Sequence, residues 1–145
     1  MFNDTPLFIN GMTVGVILFQ TAIIAPAVFT ALSGSDSSVF LRKVFPKFFI
    51  FLVALGAISN VTAIIIEDGQ AIIISGATVA FAVFAYLLIP MTNKSRDEGD
   101  ERTFKRLHLA SVLLTVAILI LNAVGLVIWS FGDTLYLSFI DRYGD

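Results

Sequence analysis

The chain has 145 residues, 57% of them hydrophobic and 14% charged, with a mean hydropathy of +0.92; a soluble globular domain is roughly 45–50% apolar and 25% charged. The length suits one domain. A formal charge of −2 argues against a polycation for nucleic acid, and zero cysteines exclude a disulfide framework, a thiolate metal site and a thiol nucleophile.

Four apolar blocks follow in chain order, at about 7–32, 44–66, 71–91 and 107–131, with a tail at 132–145. Each is long enough to cross a hydrocarbon core of about 30 Å as a helix. Helices buried in a soluble bundle keep a charged face, and these do not. The expected fold is therefore all-α, an integral membrane four-helix bundle. No Lys or Arg precedes the first block, so a cleavable signal peptide is not expected.

Basic residues fall at 42, 43 and 47, then at 94, 96, 102, 105 and 106, leaving Arg142 elsewhere. By the positive-inside rule the segments 33–43 and 92–106 are cytoplasmic, with both termini and the Glu67-Asp68-Gly69 turn outside. In FLRKVFPKFF, Arg42, Lys43 and Lys47 set this orientation and reach anionic headgroups. Phe40, Phe45, Phe48 and Phe49 anchor in the acyl boundary, and Pro46 suits the first turn of the second span's helix. Pro26 and Pro90, Phe40 and Phe104, and Arg42 and Arg106 share one sequence offset, as a duplicated helical hairpin or two hairpins under the same topological rules would produce.

Small and polar residues at spacings of three and four mark the expected contact seams. They run Gly11, Gly15, Leu18, Ala22, Ala25 in the first span and Val53, Gly56, Asn60, Ala63 in the second. The third carries Gly76, Ala80, Val83, Leu87, and the fourth His108, Ser111, Thr115, Ile118, Asn122, Gly125, Trp129. Asn60 and Asn122 each lie fourteen residues from their basic ends, about 21 Å at the helical rise, so the two amides are expected to bond to each other as packing glue. Gln20 points away from the glycine seam, which suits a contact with another subunit if that seam is right. Pro26 and Pro90 bend or stop their helices; the carbonyls they release near 22 and 86 are open to an ion or to Thr21 and its neighbours.

Chemistry-bearing residues are sparse. His108 is the single histidine, beside Arg106; as a ligand it could hold haem or a metal, and as a structural residue it caps the membrane interface. The spans hold no paired carboxylates, and NKSRDEGDERTFKR, with five basic and four acidic side chains, reads as a solvated, internally paired helix extension. Trp129, Tyr136 and Tyr143 suit an outer interface, placing the tail on the membrane or on a partner.

IIAPAVFTAL closing the first span, FLRKVFPKFF opening the second, YLLIPMTN closing the third and FKRLHLASVLL opening the fourth resemble a small bacterial membrane domain of unknown function related to transmembrane protein 205. On that resemblance Pro26, Phe40, Arg42, Phe45, Pro46, Arg106, His108 and Ser111 carry the family pattern. It implies a four-span helical protein without a settled biochemical role. Asn122 departs from it, coming one to two turns later than the family's usual Asn after the Ser. A fainter likeness to copper-resistance and haem-related four-helix membrane domains is what supports a ligand role for His108.

The sequence thus points to a non-enzymatic accessory or scaffold subunit of the bacterial cytoplasmic membrane, without a cofactor, associating with lipid and with other membrane subunits or its own copies. The alternative is a haem-binding, metal-binding or small-solute transport protein using His108. The residues expected to carry structure and contacts are Gln20, Pro26, Arg42, Pro46, Asn60, Pro90, Arg106, Ser111 and Asn122.

Overall fold

A computed structural model gives the architecture; it describes residues 4–131 in full and the backbone alone for 132–143. Helix α1 spans Thr5–Phe19 and runs through one π-helical turn, Gln20–Ile24, into α2, Ala25–Ala31. Helices α3 (Gly34–Ile65), α4 (Gly69–Asp97) and α5 (Glu101–Tyr143) complete the chain. The four long segments Thr5–Ala31, Gly34–Ile65, Gly69–Asp97 and Glu101–Phe131 are each long and apolar enough to span a membrane. Each packs against its neighbours in sequence, and α1 closes the ring against α5. The result is an all-α four-helix bundle. The Tyr136 and Tyr143 side chains, and the docking expected of the tail, lie outside the described residues.

The π turn sits immediately before Pro26, whose ring would collide with the carbonyl four residues back in a regular helix. The wider turn relieves that collision and the span continues. Pro46 behaves differently from expectation. Helix α3 begins at Gly34, so Pro46 lies inside it rather than in a first turn, and FLRKVFPKFF is one uninterrupted stretch of helix. The chain reverses at Leu32-Ser33, where the Ser33 hydroxyl donates to Asp36 in the first turn of α3. Pro90 likewise lies within α4.

Two reversals share one construction. At the end of α3, the N–H of Glu67 donates to Ile64 O and that of Asp68 to Ala63 O; at the end of α4, Gly99 donates to Arg96 O and Asp100 to Ser95 O. This is the Schellman closure, which needs a left-handed residue after the cap. Glu67 supplies it at φ 57° and Gly99 at φ 72°. An aspartate then caps the next helix: Asp68 accepts from the N–H groups of Gln70 and Ala71, and Asp100 from Thr103.

The interior has two zones. Toward the end bearing the basic residues, Ile17, Phe48, Phe49, Leu52, Ala82, Ala85 and Ile118 form an apolar core. Beyond it, Asn10, Thr13, Ser59, Ser75, Thr78 and Asn122 are buried. Helices α3 and α4 approach closely at Gly56, where a Cβ would fall 2.9 Å from Val79 Cγ2 and 3.3 Å from the Val79 backbone nitrogen.

Candidate functional site

The seams expected for the second and fourth spans face inward, with Gly56, Ala63, Ile118, Asn122 and Gly125 buried. Those of the first and third do not. In α1 the buried face runs Pro6, Ile9, Asn10, Thr13, Ile17, continuing to Gln20, while Gly15, Leu18 and Ala22 are exposed. In α4 it runs Ala71, Ser75, Thr78, Ala82, Ala85, while Ala80, Val83 and Leu87 are exposed. Small size alone does not fix a membrane helix's inner face, because lipid accepts glycine and alanine as readily as a neighbouring helix does. Amides and hydroxyls must find partners, and they mark the inside. Gln20 therefore faces its own bundle and is only 8% exposed, not turned toward another subunit.

Asn60 and Asn122 do not bond to each other. Asn60 Nδ2 donates to Ile72 O (3.1 Å) and Ser75 Oγ (3.0 Å), and Asn122 Nδ2 to Thr78 Oγ1 (2.8 Å) and its own helix at Ile118 O (2.8 Å). Helix α4 stands between α3 and α5 and takes both amides, about one turn apart. Asn10 lies over Gly125, where a Cβ would come within 2.7 Å of its amide nitrogen. Thr13 Oγ1, Ser59 Oγ and Gln20 Nε2 are buried without a hydrogen-bond partner in the protein. The hydroxyls Thr13, Ser59, Ser75 and Thr78 were not singled out by sequence, although each interrupts an otherwise apolar run.

The basic end is a paired surface. Arg42 holds Asp97 bidentately, at 3.0 and 2.5 Å, tying α3 to α4. Lys94 reaches Glu98 and Lys105 reaches Glu101 along their own helices. Asp100 caps α5; hydrogen bonding from the Thr103 side chain, then from its N–H, holds that carboxyl below the usual carboxylate range, and the charge of Arg106 adds to the effect. Arg96 lies 5.3 Å over the Phe104 ring, and His108 stacks on its ring with centroids 5.9 Å apart and planes nearly parallel. His108 is thus an exposed member of an Arg96-Phe104-His108 stack. Ser111 Oγ bonds within its helix to His108 O and Leu107 O. Pro26 and Pro90 are exposed and Pro46 is half-buried. Among the described residues no three His, Cys, Asp or Glu side chains converge as a metal site.

Four apolar helices in an antiparallel bundle, with a buried amide and hydroxyl zone and basic side chains gathered at one end, define an integral membrane protein of the four-helix class. The chain belongs to the family described as a domain of unknown function, DUF4149, whose model matches residues 8–101. That match ends before the FKRLH run and carries no reference to transmembrane protein 205. No curated protein and no solved structure matches the chain.

Proposed function

We propose that this protein is a non-enzymatic accessory or scaffold subunit that docks onto another transmembrane helix through the outer face of α1. The supporting observation is the open side of Gly15: a Cβ there would meet nothing within 4 Å, and exposed Met12, Leu18 and Ala22 continue that face, while Thr13 of GMTVG turns inward and Gly11 is half-buried toward Leu126. GxxxG stripes let two membrane helices approach to backbone contact. Because the bundle leaves Gly15 and its neighbours on this face uncovered, the helix this face suits belongs to another molecule. A second copy of this chain is the first candidate, the motif being self-complementary.

On this reading the protein sits in a bacterial cytoplasmic membrane with the basic end at the cytoplasm and both termini outside, following the positive-inside rule. The kinship to transmembrane protein 205 is part of the same reading and rests on the IIAPAVFTAL, FLRKVFPKFF, YLLIPMTN and FKRLHLASVLL runs, of which the second and fourth are the most specific.

The native sequence lacks cysteine, so a single Gly15→Cys chain oxidised in the membrane reports its neighbour directly. A disulfide-linked dimer is expected at Gly15→Cys and not at Ile73→Cys, which is equally open to lipid on α4. In mild detergent the wild-type assembly should fall to monomer in Gly15→Leu. A wild-type monomer that Gly15→Leu leaves unchanged overturns the proposal.

A further inference from the structure

Outside the buried core, an apolar groove of about 460 Å³ runs between α4 and α5, lined by Phe84, Leu88, Ala110, Leu113 and Leu114. Ala110 is its small floor residue, while Phe84 and Leu113 stand exposed at 62% and 58% as its walls. Its position along the bundle is set by sequence. Arg106, Ala110 and Leu113 recur at i, i+4 and i+7 on one face of α5, and Leu88 and Arg96 lie two turns apart on α4. The contact of Arg96 with Phe104 fixes that arginine on the α5 side of its helix. From Arg106 to Leu114 the rise is about 12 Å, less than half of a hydrocarbon core of about 30 Å. The groove therefore lies in the leaflet nearer the basic end, with Arg106 about one turn beyond its lining residue Ala110.

The charge at its mouth is unbalanced. All four carboxylates of the α4–α5 connection are committed: Asp97 to Arg42, Glu98 to Lys94, Glu101 to Lys105, and Asp100 to the first turn of α5. Arg96 and Arg106 have no carboxylate ion-pair partner among the described residues. The sequence offset that relates Arg42 to Arg106 relates Asp97 to Ser33, so the second arginine has no bidentate acid as the first has, and Asp100 acts on it by charge alone, beyond ion-pair distance. An apolar slot within one leaflet, with Arg106 about one turn beyond its lining on α5 and Arg96 about two turns beyond it on α4, matches the two halves of one molecule.

We infer that the α4–α5 groove is a binding site for an anionic phospholipid, one acyl chain lying over Ala110 between Phe84 and Leu113 and the headgroup phosphate held by Arg96 and Arg106. Arginine suits this role because its planar fork donates two parallel hydrogen bonds to a phosphate. The site lies on helices that α1 docking does not involve, so it stands apart from the scaffold reading.

The test is a titration of the detergent-purified protein with phosphatidylglycerol or phosphatidylcholine, with bound lipid counted by native mass spectrometry. Wild type should prefer phosphatidylglycerol. Arg96→Gln and Arg106→Gln should each weaken its binding about fivefold, and together roughly thirtyfold, as expected for basic residues near an anionic surface, and should weaken phosphatidylcholine, whose phosphate charge its choline offsets, by less. Ala110→Trp should weaken both lipids by filling the slot; Leu113→Trp, at an exposed wall, reads the same groove should the first variant not fold. Lys43→Gln with Lys47→Gln removes two charges from α3 and should leave the preference intact. Equal affinity of wild type for the two lipids, or an equal loss in the lysine pair, overturns the site.

Discussion

Asn122 Nδ2 donates to Thr78 Oγ1 at 2.8 Å, an amide-to-hydroxyl bond joining α5 to α4, with both side chains buried. The amide also donates to Ile118 O, so removing Thr78 Oγ1 leaves it one partner. Interhelical bonds of this kind in membrane proteins average about 0.6 kcal/mol and reach about 1.7 kcal/mol. A double-mutant cycle of Asn122→Ala and Thr78→Val, read by unfolding in mixed micelles, should give a coupling of about 1 kcal/mol. An additive cycle would mean that the bond contributes nothing beyond packing.

Gly56 and Gly15 predict opposite outcomes for one substitution. A methyl on Gly56 falls against the Val79 backbone as well as side chains, and backbone cannot rotate aside; a methyl on Gly15 meets open space. Gly56→Ala should destabilise the isolated bundle by about 1–3 kcal/mol through overpacking, measured by the same unfolding assay. Gly15→Ala should leave the bundle's stability unchanged, because its proposed contact is with another molecule.

The turn after α3 places Glu67 at φ 57°, where the matching turn after α4 places Gly99. A left-handed conformation costs a side-chain-bearing residue roughly 1–2 kcal/mol, partly offset by the extra freedom glycine brings to the unfolded chain. Glu67→Gly should raise the melting temperature, and Gly99→Ala should lower it. Any fall in Glu67→Gly would show that the glutamate side chain contributes more than its backbone strain.

The presence of four spans was legible because an apolar run of this length with almost no charge has few alternatives to crossing a bilayer. The basic end could also be read, since Lys and Arg cluster on two connections that the fold does bring together. Orientation of the helices about their own axes was half legible. Asn60 and Asn122 marked their faces correctly, but the first and third spans were turned by their glycines, and the hydroxyls of Thr13, Ser75 and Thr78 were the better guide. Nothing in the spacing of Asn60 and Asn122 told that α4 lies between them. The reversal at Leu32-Ser33 was obscured because α3 extends through the charged FLRK segment, where hydropathy falls but helix does not end.

His108 is exposed and stacked flat on Phe104. A haem ligand needs its imidazole nitrogen aimed into a cavity that holds the macrocycle, and this ring lies between Phe104 and the outside of the bundle. The visible absorption of the purified protein should be the same for wild type and His108→Ala. A Soret band in the wild type that disappears in the variant would establish a haem axial role.

Asp100 links the helix hairpin to pH. Thr103 bonds hold its carboxyl below the usual range in the folded chain, so the folded state binds this proton less readily than the unfolded chain does. The stabilisation is fully present above the unfolded carboxylate value of about 3.9 and is lost as pH falls through the lower folded value. Asp100→Ala removes the α5 cap. The melting temperatures of wild type and variant should differ near neutral pH and converge as the solution is acidified below pH of about 3.9. A gap that persists unchanged through that range would assign the cap's contribution to the neutral hydrogen bond, not to the carboxylate charge.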